Sequence, residues 1–228
     1  MKLSIIMPVY NEKGTIDEII SRVQEVPVPK ELIIVDDGST DGTRHRLKKY
    51  ENEKGITVIY FDRKSGKGYA IRRGLEMATG DVVVIQDADL EYDPQDLQTL
   101  IFPFKEDGAL VVYGSRRLKK TNKAHSGPLF YLGGLLVTYL ARWLYGLDIT
   151  DEATCYKMFD AKLLKSLDLK CQRFEFCPEV TAKIAKRKIP IIELPISYYP
   201  RHKKEGKKIR WLDCLEAIWT LIKYKFKD

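Results

Sequence analysis

The chain has 228 residues, 44% of them hydrophobic, with 39 Lys and Arg against 32 Asp and Glu for a formal charge of +7. That is ordinary for a folded globule of one large α/β domain or two tightly joined halves. The basic balance points to an anionic partner, whether nucleic acid, anionic lipid or a phosphorylated substrate. The four cysteines, Cys155, Cys171, Cys177 and Cys214, form no C-x-x-C pair and lie far from His45, His125 and His202. This argues against a zinc site and for free thiols in a reducing compartment.

The N-terminus enters an apolar strand, Leu3–Pro8, with no signal pattern, so a cytosolic chain, or one peripheral on the cytosolic face of a membrane, is expected. The strand runs into Pro8–Val9–Tyr10–Asn11–Glu12. Thr15 and Glu18 have capping-box spacing ahead of a helical stripe, Ile16, Ile19, Ile20 and Val23. Leu32–Val35 reads as a second strand. It leads through the turn formers of residues 36–43 to a helix around residues 44–50. Ile56–Phe61 is a third strand. Gly66–Lys67–Gly68 opens a helix through Ala70, Ile71, Leu75 and Met77 that Gly80 is expected to close. Val82–Ile85 is a β-branched fourth strand. Asp93–Pro94 starts a helix to about Lys105, and Ala109–Tyr113 is a fifth strand.

This alternation predicts an α/β fold, a mostly parallel doubly wound sheet with helices on both faces. Ligands of such sheets gather at the carboxyl ends of the strands. Three of those ends carry acids here: Glu12, Asp36–Asp37 and Asp87–Asp89. If the chain stays extended beyond Ile85, alternation turns Asp87, Asp89 and Glu91 to one side. Hard oxygens so placed suit a divalent cation that also holds phosphates.

The second half differs. Arg116, Arg117, Lys119, Lys120 and Lys123 make a basic loop. Residues 128–147 are mostly apolar, which raises the question of a membrane span. A span would divide one site between two sides of a bilayer, leaving a helix buried on the sheet or lying at the membrane interface. Part of residues 149–159 is expected to be strand, residues 160–167 and 175–186 helix, and residues 189–199 an edge strand broken by Pro190 and Pro195. A second basic loop, residues 200–210, precedes a final helix, Trp211–Phe226. Its stripe of Leu212, Leu215, Ile218, Trp219 and Ile222 fits core docking or membrane contact.

Taken together, the segment 8–12, Val35–Asp36–Asp37–Gly38–Ser39–Thr40–Asp41, Gly66–Lys67–Gly68 with Ala70, and Asp87–Ala88–Asp89 resemble family 2 glycosyltransferases of GT-A fold. Thr154–Cys155–Tyr156–Lys157 and Ser197–Tyr198–Tyr199 suit the branch similar to dolichyl-phosphate mannose and glucose synthases. The resemblance implies one GT-A catalytic domain over residues 1–228, with a nucleotide-sugar half (1–115) and an acceptor half (116–228). It implies that Pro8, Tyr10, Glu12, Val35 and Asp37 hold the nucleoside, and that Lys67, Gly68, Asp87 and Ala88 line the donor site. Asp87, Asp89 and Glu91 would bind Mg²⁺ or Mn²⁺. Arg116 would meet the acceptor phosphate, with Ser126 (or His125) where relatives carry an arginine. Arg201 and one of Lys207 and Lys208 would clamp the donor diphosphate or the acceptor.

The implied reaction is an inverting transfer of a hexose from a nucleotide sugar, of GDP-mannose or UDP-glucose type, to a polyprenyl or dolichyl phosphate. Its catalytic groups would include Asp89, Arg116 and Arg201. A phosphate acceptor is already largely dianionic at neutral pH, whereas a glycan hydroxyl would need a base, with Asp151 or Glu152 as candidates. A nucleotidyltransferase is the distant alternative, disfavoured because a glycine- and basic-rich loop is expected after its first strand. Nucleic acid is not an expected partner, since the aromatic residues are not interleaved with basic ones on a strand platform. The oligomeric state stays open.

Overall fold

The computed structural model of the chain describes residues 1–122, 127–201 and 211–227. β1 (Leu3–Val9) is followed by α1 (Ile16–Gln24), β2 (Lys30–Asp36), α2 (Thr43–Leu47), β3 (Ile56–Tyr60), α3 (Lys67–Met77) and β4 (Val82–Ile85). These four strands are parallel, in the spatial order β3-β2-β1-β4. All four residues of β4 and the central residues of β1 and β2 are buried, as a sheet covered on both faces requires. The α1 stripe lies wholly in the core.

The rest of the sheet comes from the second half. After α4 (Leu97–Leu100) and α5 (Phe102–Glu106) come β5 (Val111–Ser115), α6 (Pro128–Tyr145), β6 (Lys157–Asp160), α7 (Ala161–Ser166), α8 (Phe176–Lys186), β7 (Ile192–Pro195) and α9 (Trp211–Phe226). Among the described residues seven strands make one sheet, β3-β2-β1-β4-β6-β5-β7. β6 is wedged between β4 and β5 and antiparallel to both, which makes the sheet mixed. β7 pairs with β5 at the edge, where its terminal Pro195 is tolerated and Pro190 falls before the strand. α6, α8 and α9 form a satellite core around Val137, Ala141, Ile149, Ala182, Leu221 and Tyr224. Among the described residues no helix is long and apolar enough to cross a membrane.

Several local expectations give way. Thr15 makes no side-chain cap on α1; its hydroxyl instead donates to the Glu12 carboxylate and the Ala88 carbonyl, both at 2.9 Å. α3 ends at Met77 with Ala78 already extended, so Gly80 does not cap it. A Cβ on Gly80 would lie 2.7 Å from the Lys2 carbonyl oxygen, so close backbone approach explains that glycine. The helix expected over residues 93–105 is broken into a short 3₁₀ turn, α4 and α5. Asp93 caps its start by accepting from the Gln95 N–H at 3.0 Å.

Candidate active site

β2, β1 and β4 are neighbours, and their carboxyl ends open on one cleft of about 970 Å³. Pro8, Tyr10 and Glu12 line it from β1, Asp37 from β2, and Asp87, Ala88 and Asp89 from β4. Asp37 is nearly buried and accepts the Ser65 and Gly66 N–H groups at 2.6 and 2.8 Å. Burial raises its pKa despite those bonds. The Lys64 ammonium sits 4.0 Å over the Tyr10 ring. Asp36, by contrast, turns away from the cleft and pairs with Arg44 at 3.0 Å. Val35 is also outside it: its side chain packs in the core toward Gly74 of α3. Gly68 does not line the cleft either. It lets α3 start against the segment 171–173, where its N–H donates to the Arg173 carbonyl at 2.8 Å.

The acids after β4 do not alternate on one side. The chain bends through residues 88–91, where the Glu91 N–H donates to Asp89 Oδ1 at 3.0 Å. Asp87 pairs with Lys67 from the first turn of α3. Asp89 pairs with Arg201 at 2.8 Å, and the same guanidinium reaches both Glu12 oxygens at 3.0 and 3.1 Å. Glu91 accepts from the Arg201 N–H at 2.9 Å and the Tyr198 hydroxyl at 3.0 Å. Among the described residues no group of three acids placed to hold a metal is present, and the Glu91 carboxylate is engaged by Arg201 and Tyr198. Burial, then the neighbouring Asp87 and Glu91, push the Asp89 carboxyl up to about 7, while Lys67 outweighs burial and holds Asp87 low.

On the other wall Arg116 is locked by Asp151, with Nε to Oδ2 and Nη2 to Oδ1 both at 2.7 Å. Its guanidinium carbon lies 5.0 Å over the Tyr198 ring. Asn122 joins this loop to β7's continuation by donating to the Arg116 and Ile196 carbonyls at 2.7 and 2.8 Å. Asp151 is fully buried, committed to Arg116 and absent from the cleft wall, so it is no longer a candidate base. Glu152 does line the cleft, beside Thr181 at 3.2 Å. Burial raises its carboxyl to about 7 against the lowering pull of Lys157, whose ammonium hydrogen-bonds the Glu152 carbonyl and lies 3.9 Å from the carboxylate. Ser126, His125, Lys123, Lys207 and Lys208 lie outside the described residues.

Toward its mouth the cleft turns apolar, lined by Leu132, Leu136 and Val137 of α6 and by Trp211, Leu215 and Ile218 of α9. Residues 4–167 match the model of glycosyl transferase family 2. The chain belongs to that family. It is 28% identical over 235 residues to a dolichol-phosphate mannosyltransferase of Pyrococcus furiosus, covering 99% of this chain and 65% of the relative. It is 30% identical over 211 residues to a UDP-N-acetylglucosamine–dolichyl-phosphate N-acetylglucosaminyltransferase of Methanococcus voltae, covering 84% and 83%. The fold matches glucosyl-3-phosphoglycerate synthase of Mycobacterium tuberculosis, solved with Mn²⁺, UDP and phosphoglyceric acid (TM-score 0.74, 22% identity, 99% of this chain and 78% of that one). The family 2 chain thus has the GT-A fold, and it spans about two thirds of the Pyrococcus relative's length.

The family 2 site fits a divalent cation on its own chemistry. Two carboxylates one residue apart, Asp87 and Asp89, line a shared cleft and offer hard oxygens to such an ion. Neighbours that the sequence did not mark are Lys64, Asn122 and the backbone of Ser65. They are general loop residues whose roles arise from contacts across 28 to 74 positions. Tyr198 was marked within a motif, but its packing on Arg116 follows from the pairing of β7 with β5.

Proposed function

We propose that this family 2 chain is the catalytic portion of an inverting glycosyltransferase that moves a hexose from a nucleotide sugar to a polyprenyl phosphate. One observation carries the reading: a single cleft joins a floor of acids and cations to an apolar mouth between α6 and α9. Such a cleft suits a charged donor and an acceptor with a phosphate head and a hydrocarbon tail. The two relatives, both named as dolichyl-phosphate transferases, support it.

Tyr10, Glu12 and Asp37 hold the nucleoside, and Lys67 and Arg201 face the diphosphate. Asp87 and Asp89 would hold Mg²⁺ or Mn²⁺, which supplies positive charge at the leaving diphosphate. Arg116, kept in one rotamer by Asp151, presents its fork to the acceptor phosphate. An acceptor oxygen attacks the anomeric carbon from the face opposite the departing nucleoside diphosphate. With a second pKa of about 6 the phosphate needs no base.

The apolar mouth continues outward. Leu132, Leu136, Tyr139 and Trp143 share one exposed face of α6, and Trp211, Leu215, Trp219 and Phe226 extend along α9. Exposed Lys223, Lys225 and Lys227 follow on α9. Aromatic residues beside lysines suit contact with an anionic membrane surface, from which a lipid phosphate would enter.

Glu152 favours a second reading. A carboxyl near neutrality on the cleft wall could act as base toward a glycan hydroxyl. Thermal melting with a panel of GDP- and UDP-sugars plus Mn²⁺ tests the donor half. One nucleotide class raises the melting temperature; no shift with any of them contradicts the proposal.

A further inference from the structure

We infer that Arg201 is an internal counter-ion that stands in for a divalent cation at Asp89 and must leave it before metal and donor can be held. The inference rests on the donor-site reading of this cleft. The Arg201 guanidinium bridges two strand ends, contacting Glu12 after β1 at 3.0 and 3.1 Å and Asp89 after β4 at 2.8 Å. These side chains keep only 14%, 10% and 13% of their exposure, so the bridge is shielded from water and a bare carboxylate there would be costly.

The bridge is delivered by a segment tied across the cleft. The Tyr199 N–H donates to the Glu91 carbonyl at 2.8 Å and the Arg201 N–H to the Glu91 carboxylate at 2.9 Å. Lys67, the partner of Asp87, is different: it is fixed in the first turn of α3. One acid therefore has a counter-ion built into a helix, and the other has one on a loop residue beyond the end of β7. A guanidinium paired with Asp89 repels a divalent cation approaching the same carboxylate. When the guanidinium leaves, its planar fork is matched to a diphosphate, so donor entry gives Arg201 a new anion, the cation covers Asp89 and Glu12 turns to the nucleoside. The internal pair reduces apparent metal affinity to the intrinsic value multiplied by the fraction of molecules in which the pair is open.

Mn²⁺ titration followed by the electron paramagnetic resonance signal of free Mn²⁺, without nucleotide, tests this. Arg201→Gln is expected to bind Mn²⁺ at least about fivefold more tightly than the wild type. Arg201→Lys, with a single point charge, falls between them, and it carries the test alone if the glutamine variant does not fold. Equal or weaker binding by the variants, with Mn²⁺ binding to the wild type intact in the presence of nucleoside diphosphate, overturns the counter-ion role alone. No Mn²⁺ binding by the wild type even with nucleoside diphosphate overturns the donor-site reading and this inference with it.

Discussion

Asp151 grips Arg116 with both carboxylate oxygens at 2.7 Å and takes the Arg116 main-chain N–H at 3.0 Å. The acid is fully buried and the arginine largely so, at 21% side-chain exposure. Such a pair aims the guanidinium and leaves the acid no freedom to move a proton. Asp151→Asn should therefore cost about 3 kcal/mol of stability, read by urea denaturation, and raise KM for the acceptor. Loss of kcat with unchanged stability and KM would instead restore the base role.

Gly68 makes a sharper steric case. A Cβ there would lie 2.9 Å from the Arg173 carbonyl oxygen and 3.0 Å from the Cys171 side chain. Gly68→Ala should push the start of α3 off that segment, costing about 1–3 kcal/mol, and misplace Lys67 against Asp87. Thermal melting and donor KM should both worsen; a variant unchanged in both contradicts the packing argument.

Strand-helix alternation made the first half legible, because each element there is local and its apolar period is unbroken. The antiparallel wedge of β6 was not legible: four residues, Lys157–Asp160, carry a weak pattern, and their position depends on partners some 45 to 80 positions away. In the site, Glu12, Asp37, Asp87 and Asp89 were found because acids ending apolar strands stand out. Which cation each acid takes was not legible, since the pairing of Asp36 with Arg44, Asp151 with Arg116 and Asp89 with Arg201 is decided by tertiary packing. The expected side-by-side Asp87, Asp89 and Glu91 failed because the hydrogen bond from the Glu91 N–H to Asp89 ends the extended chain.

Glu152 sets a pH dependence. Its folded pKa of about 7 lies above the ordinary 4.5, so the folded state binds the extra proton between those values. The contribution of Glu152 to stability is then greatest below about pH 4.5 and is lost as pH rises through about 7, by an amount on the order of 3 kcal/mol. Glu152→Gln should flatten the denaturation profile over that window. If Glu152 is no base, the variant also keeps most of its turnover on a lipid phosphate. An unchanged slope would contradict the burial argument.

The outward face of α6 and α9 predicts membrane contact. Trp143 and Trp219 are 80% and 64% exposed. Replacing both by alanine should weaken co-sedimentation with anionic phospholipid vesicles at least about tenfold, leaving the melting temperature nearly unchanged. Equal partitioning of wild type and variant would remove this face from the account.

The account turns on a lipid phosphate as acceptor. Sugar-labelled donor, Mn²⁺ and the wild-type protein should be incubated with either a polyprenyl phosphate or the matching polyprenol, and label counted in the organic phase. The prediction is label with the phosphate alone, abolished in Asp89→Asn. Equal labelling of the alcohol, or transfer only to a water-soluble glycan, would contradict it.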